Sequence, residues 1–212
     1  MGRGHGGSRG SGPGGGGGGI SEQQQELLDT TMLISPNIRY RPDMIGVKGY
    51  KGVTDERVAA ELKEGLEMYA KEIGLSEPAH ITIDTLPKGR RGASYANGSI
   101  TLSKNYFGGS YEKTMKGATD YMKSGGSVET SRPIMKTLHH ELGHRTYAYL
   151  SGGSKAQVQS LYKKFVSGKT PKGWGSYSKG SAEEFFAEGM AKSLTGKSDS
   201  FTKALRKIAK SR

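Results

Sequence analysis

Thr137-Leu138-His139-His140-Glu141-Leu142-Gly143-His144 is the stretch on which the reading of this chain turns. Just upstream, Ser131-Arg132-Pro133 is a helix start, with Ser131 as cap and proline tolerated in the first turn. Ile134, Leu138, Leu142 and Tyr147 then recur at helical spacing as far as the break at Gly152-Gly153. The eight residues therefore lie on an amphipathic helix. On it His140 and His144 project from one face a turn apart, so that both ring nitrogens can reach one point. Glu141 lies about 100° round from His140, close enough to touch a water held there. Gly143 is out of place, because glycine in a helix interior costs about 1 kcal/mol relative to alanine. Close approach of a neighbouring backbone strand is the reason expected. His139 reads as an outer partner of the pair or as a surface residue.

Two histidines at this spacing with a glutamate between them form the HExxH arrangement of zinc hydrolases. Catalytic Zn2+ takes three protein ligands and a water, so the pair needs a third. The chain has no cysteine and no histidine after His144. The metzincin pattern would put a histidine at position 150, which is Leu150. A carboxylate on a later helix remains. Ser181-Ala182-Glu183-Glu184-Phe185-Phe186-Ala187-Glu188 offers one, with Glu184 and Glu188 on one face and the two phenylalanines free to pack inward. Glu184 is the expected ligand and Glu183 its rival. The Ser181–Glu184 spacing also fits a capping box, in which Glu184 would serve the helix start instead.

The rest of the chain sets limits. Its 212 residues allow one domain with a tail, or two small ones. The longest apolar run, Tyr147-Ala148-Tyr149-Leu150, is far short of the ~20 residues of a membrane helix, and the N-terminus has no apolar signal core. The expectation is a soluble protein without a membrane partner, cytoplasmic or virion-associated, in the style of a phage accessory protein. A net charge of +12 makes nucleic acid a candidate partner. The basic residues are scattered, however, and dense only at Lys203, Arg206, Lys207, Lys210 and Arg212. Oligomeric state is not legible.

Residues 1–20 hold 12 of the 34 glycines and read as a disordered tail. Residues 21–53 read as an extended lead-in, and residues 54–212 as the compact domain. In the domain, Val58, Leu62, Leu66, Tyr69 and Ile73 form a helical stripe, capped by Thr54 or Asp55 and closed by Gly74. His80 to Leu86 alternates like a strand. Ala93–Ala96, Asn97-Gly98 and Ser99–Leu102 read as a hairpin. Tyr106 to Val128 reads as a long loop with at most one helical turn. Helices follow from about Ser154 to Val166, from Ser181 to Leu194, and from Asp199 onward. The fold class is α+β: a small antiparallel or mixed sheet packed on the motif helix, with further helices at the C-terminal end.

The pieces Ser176-Tyr177 and Ala182-Glu183-Glu184-Phe185-Phe186-Ala187-Glu188, following His140-Glu141-Leu142-Gly143-His144 after a long insert, resemble the catalytic domain of the anthrax lethal factor family of gluzincin-type peptidases. There the second motif reads Tyr, six residues, then Glu-Phe-Phe-Ala-Glu. Tyr177 stands seven positions before Glu184, as that pattern asks. Leu142 stands where the family has an aromatic, and Ala182-Glu183 reorder the residues before the ligand. The resemblance covers about residues 134–150 and 174–195. It implies a zincin-like fold, His140, His144 and Glu184 as zinc ligands, Glu141 as general base, Tyr177 as oxyanion donor, and Glu188 as the carboxylate orienting a ligand histidine.

The expected activity is hydrolysis of a peptide bond in a protein or peptide substrate by a metal-activated water. Zincin clefts are edged by a strand that pairs with extended substrate. Ser99–Ser103 is the candidate here, with Ile100 and Leu102 as substrate-binding residues. The competing expectation is a basic virion-structural or nucleic-acid-binding module whose zinc site is structural or vestigial.

Overall fold

The computed structural model describes residues 53–74, 80–94 and 99–211. The expected tail, nearly all of the lead-in, and the Asn97-Gly98 turn lie outside the described residues. Those that are described form seven helices and a three-stranded mixed sheet, an α+β fold. In chain order they are α1 (Glu56–Glu72), β1 (His80–Asp84), β2 (Gly92–Ser94), β3 (Ser99–Ser103), α2 (Lys104–Phe107), α3 (Tyr111–Lys123), α4 (Pro133–Ala148), α5 (Gly152–Ser167), a 3-10 turn (Ser176–Lys179), α6 (Ala182–Thr195) and α7 (Ser200–Lys210).

Local chemistry accounts for most of the ends. Asp55 caps α1 by accepting from the Arg57 N–H, and Gly74, at φ 80°, turns the chain out of the helix in the left-handed region. Ser181 caps α6, and Asp199 with Thr202 makes a full capping box at α7. The motif helix departs from expectation at its start. Its N-cap is Arg132, whose side chain makes no capping bond; Pro133 at the first position needs no N–H partner, which lightens that loss.

Two further expectations are corrected. Tyr106 to Val128 is mostly helical, because Thr114 and Ala118 are buried and Tyr111 and Met115 pack against the core one or two turns apart. The strand order is β1-β3-β2, with β3 parallel to β1 and antiparallel to β2. Ser99–Ser103 is therefore the central strand, not an edge. Ile100 and Leu102 are fully buried, opposite Ile81 and Ile83 on the core face, so they cannot bind substrate. The other face carries Thr82 and Thr101, whose hydroxyls lie 3.0 Å apart. The edge of this sheet beside the motif helix is β2, half-buried along its length.

Helix α4 runs through the middle of the domain, and Ile134, Met135, Leu138 and Leu142 are fully buried on it. Burying each such side chain stabilises by about 1.5–3 kcal/mol. On one side α1 anchors it: the Tyr69 hydroxyl donates to the Leu142 carbonyl at 3.1 Å and lies 2.8 Å from the Thr146 hydroxyl. On the other side α6 comes in at backbone range. A Cβ on Gly143 would stand 2.7 Å from Ala187 Cα. The glycine exists for a helix crossing rather than for a strand near the metal, and the crossing brings the glutamate-bearing face of α6 onto the histidine pair. Phe165, Trp174, Phe185 and Phe201 pack together behind α6 at ring separations of 4.7–6.5 Å. Trp174 Nε1 donates to Asp199 at 2.7 Å, which pins the segment leading to the 3-10 turn.

Candidate metal centre

His140 Nε2 and His144 Nε2 lie 3.0 Å apart, and Glu184 Oε2 stands 3.4 Å from the first and 3.3 Å from the second. Ligands held at about 2.0–2.2 Å around a tetrahedral ion stand about 3.3–3.5 Å from one another. The two sides that meet at Glu184 have that length, and the side between the histidines is shorter, at 3.0 Å. His140, His144 and Glu184 could therefore hold one metal ion, and they are the one such group among the described residues.

The outer partners show which atoms are free to coordinate. His140 Nδ1 lies 2.8 Å from Glu188 Oε1, and His144 Nδ1 lies 3.0 Å from Glu183 Oε1. A proton on each Nδ1, facing these carboxylates, is the arrangement that would leave each Nε2 free to coordinate an ion. Glu184 Oε2 is buried without a hydrogen bond of its own. Two ring nitrogens and a carboxylate oxygen thus converge at near-contact distance. Three acceptors so placed repel one another unless a cation or a proton sits among them. The charge balance agrees. Burial pulls His144 down, yet the adjacent Glu184 carboxylate, helped by Glu141 and Glu183, raises its pKa to about 9. Burial pushes Glu184 up, but both imidazoles and Tyr177 hold it below the usual carboxylate range.

Glu188 is the firmest element of the surround. It is wholly buried, meets Lys136 Nζ at 2.5 Å and accepts from the Val128 N–H at 2.9 Å. Burial pushes its carboxyl up, but Lys136 and His140 hold it far below the usual carboxylate range. Glu183 is half exposed and serves as partner of His144, which separates it from the ligand role. Ser181 does accept from the Glu184 N–H, so that residue takes part in a cap through its backbone while its carboxylate faces the histidines.

Glu141 is buried under β2 with its carboxylate toward the cleft. Ser94 donates to Glu141 Oε2 at 3.1 Å and to its backbone carbonyl at 2.8 Å. A Cβ on Gly92 would fall 2.5 Å from Glu141 Oε1, so only glycine leaves the carboxylate its place. Sequence reading missed both Gly92 and Ser94. A glycine followed by small residues on a strand was the available signal, but nothing local tied it to the motif helix. His139 is also not as expected: it is fully buried, 2.6 Å from the Gly65 carbonyl, and burial lowers its pKa to about 4.

Tyr177 sits in the 3-10 turn, half exposed, its ring 5.7 Å from that of His140. The turn is tied to the end of α3 by Ser176 N–H to Gly125 and Tyr177 N–H to Gly126 carbonyl bonds of 2.9 and 3.2 Å. Partial burial, together with the charge and acceptor of Glu184, pushes the phenol up to about 12, so it remains a donor at neutral pH. A cleft of about 380 Å³ opens over these groups, lined by Gly92, Ser94, Glu141, His144 and Tyr177 among others. Among the described residues no helix is long and apolar enough to cross a membrane. Comparison of the chain with protein-family models, with curated proteins and with solved structures finds no match.

Proposed function

We propose that this chain is a zinc-dependent endopeptidase of the HExxH…Tyr…Glu type with a zincin-like fold, as its resemblance to the lethal factor family implies. The observation that carries the proposal is the convergence of His140 Nε2, His144 Nε2 and Glu184 Oε2 at 3.0–3.4 Å, each histidine backed by a carboxylate on its far nitrogen. Two nitrogens and one carboxylate oxygen are a donor set suited to zinc, with one corner left for solvent. When bound, zinc supplies Lewis acidity, which lowers the pKa of a coordinated water toward ~7 and polarises a carbonyl.

The protein groups divide the remaining work. Glu141 borders the cleft within the reach of a proton on an attacking water, and would return that proton to the leaving amine. Ser94 fixes its carboxylate, and Gly92 makes room for it. Tyr177 donates to the oxyanion of the tetrahedral intermediate. Its hydroxyl reaches the Glu184 carboxylate in the resting site, so its bond to the oxyanion forms only as the reaction proceeds. Glu188 and Glu183 keep both ligand rings in the right tautomer. An extended peptide would lie along β2, whose Gly92, Ala93 and Ser94 border the cleft.

The test is digestion of an unfolded protein substrate by purified, zinc-loaded chain, beside Glu141→Gln. Cleavage by the wild type that stops in the variant, with folding and metal content retained, supports the reading. Cleavage that persists in Glu141→Gln would remove Glu141 from its role.

A further inference from the structure

Arg91 immediately precedes the glycine that covers Glu141 and is one of the residues that line the same cleft. Its guanidinium is sandwiched between two tyrosines, with ring centroids at 4.3 Å for Tyr106 and 4.9 Å for Tyr121. Among the described residues it donates one hydrogen bond, to the Gly117 carbonyl at 2.6 Å. The Arg91 carbonyl accepts from the Ser103 N–H at 2.8 Å, which fixes the backbone at the mouth of β2. Among the described residues no carboxylate lies within ion-pair distance of it. Asp120 acts on it only through space and is itself paired to Lys116 at 2.6 Å.

Half burying a guanidinium without a counter-ion is unfavourable, and stacking on tyrosines offsets only part of that. Arginine has five N–H donors, and one is used here. The others form a fork that fits a carboxylate, held by two rings that set its orientation, one of which, Tyr121, also lines the cleft. The other cations of the cleft differ. Lys136 is already neutralised by Glu188, and Arg90 is exposed to water at the rim. Arg91 is thus the oriented, partly desolvated charge that an incoming chain would meet.

We propose that Arg91 is the specificity determinant of the cleft and that it binds a carboxylate of the peptide substrate next to the bond to be cut. This rests on the peptidase reading for the word substrate but not for the binding itself. The carboxylate has two sources, an Asp or Glu side chain within a longer peptide or the α-carboxylate of a chain end. The first would make the enzyme an endopeptidase selective for acidic sites, the second a carboxypeptidase.

Binding can be separated from turnover. Fluorescein-labelled peptides are titrated by anisotropy against zinc-loaded Glu141→Gln chain and against the same chain carrying Arg91→Gln or Arg91→Lys. One peptide set is amidated and moves a single Glu along an otherwise neutral sequence, with Gln replacing it in controls. The other compares free-acid and amidated forms of an all-neutral peptide. The inference expects at least one Glu position, or the free-acid end, to bind about 10–100-fold tighter than its neutral twin. That gap collapses in Arg91→Gln and is only partly restored by Arg91→Lys, which returns the charge but not the stacked fork. A gain that depends on Glu position marks the side chain as source, whereas a gain confined to the free-acid form marks the chain end. A gain equal at every position reflects only the overall positive charge and overturns the inference, as does a gap that survives Arg91→Gln. Wild-type chain that binds acidic peptides in this way but cuts none would sink the peptidase reading while leaving the carboxylate site standing.

Discussion

Glu188 Oε1 stands 2.8 Å from His140 Nδ1 and 2.5 Å from Lys136 Nζ, so one buried carboxylate holds a histidine of the candidate metal centre and the ammonium one turn upstream of it on the same helix. Losing its charge has two separable consequences. Glu188→Gln keeps the shape, loosens the hold on His140, and leaves Lys136 buried beside a neutral amide. Zinc affinity measured by chelator competition should fall about 10–100-fold. Metal-free stability should fall by about 3–5 kcal/mol in denaturant unfolding, the usual penalty for stranding a buried charge. Unchanged affinity would mean that His140 needs no orienting partner.

Gly92 predicts a loss of rate without a loss of metal. In Gly92→Ala the new methyl meets the Glu141 carboxylate, which must shift. Zinc content should stay at the wild-type level because none of the three ligands is touched. The rate constant kcat should fall about 100-fold, as expected for a misplaced catalytic group. Measuring both quantities on one preparation checks the pair.

Tyr177→Phe removes a donor at the lip of the cleft, and with it a contact to Glu184, while all three ligating side chains stay in place. A single oxyanion donor is worth about 10²–10³ in kcat. Loss of that size, with KM and metal content little altered, is the expected outcome of steady-state kinetics. A rise in KM with kcat unchanged would make Tyr177 a substrate contact instead.

His139 gives a pH dependence whose sign can be worked out. The fold favours its neutral ring, since burial lowers its pKa to about 4 against 6.5 for an unperturbed histidine. Between those values the unfolded chain binds the proton and the folded chain does not, so stability rises with pH through that window. The contribution is complete above about pH 6.5, is lost as pH falls toward 4, and amounts to about 3 kcal/mol. The difference in unfolding free energy between wild type and His139→Gln, measured at pH 4.5 and pH 7.5, isolates this residue. An equal difference at both pH values would contradict it.

Gly143 and Ala187 test the helix crossing that assembles the site. Gly143→Ala gains about 1 kcal/mol of helix propensity but forces a methyl to within 2.7 Å of the Ala187 backbone. Overpacking of this kind costs about 1–3 kcal/mol, and here the backbone of α6 must move with Glu184 on it. Both the melting temperature and zinc affinity should fall together. Stabilisation by this substitution would show that the two helices can separate freely.

The parts of the fold written in short-range signals were legible. Periodicity marked α1, α4 and α6, the cap residues Asp55, Ser181 and Asp199 marked where three helices begin, and the histidine spacing pointed to the right helix. Glu184 follows from the lack of any later histidine or cysteine and from the helix face it shares with Glu188, with Glu183 as rival, and the resemblance implies the same residue; its carboxylate does face the pair. What could not be read depended on pairing at a distance. Strand order is one example: an Asn-Gly turn signals that β2 and β3 pair, but nothing local says that β1 adds in parallel on the far side and buries Ile100 and Leu102. Helix α3 was hidden by Gly117 and by lysines on its exposed face. The place of Gly92 over Glu141 brings together a strand and a helix nearly fifty residues apart, and neither residue announces the other.

The most direct measurement is the zinc stoichiometry and affinity of purified chain, taken by isothermal titration of metal-stripped protein, beside Glu184→Ala and Glu183→Ala. The account predicts one ion per wild-type chain, loss of tight binding in Glu184→Ala, and an ion still bound, more weakly, in Glu183→Ala. Tight zinc binding that survives Glu184→Ala but vanishes in Glu183→Ala, or a wild-type chain that takes up no ion at all, would contradict it.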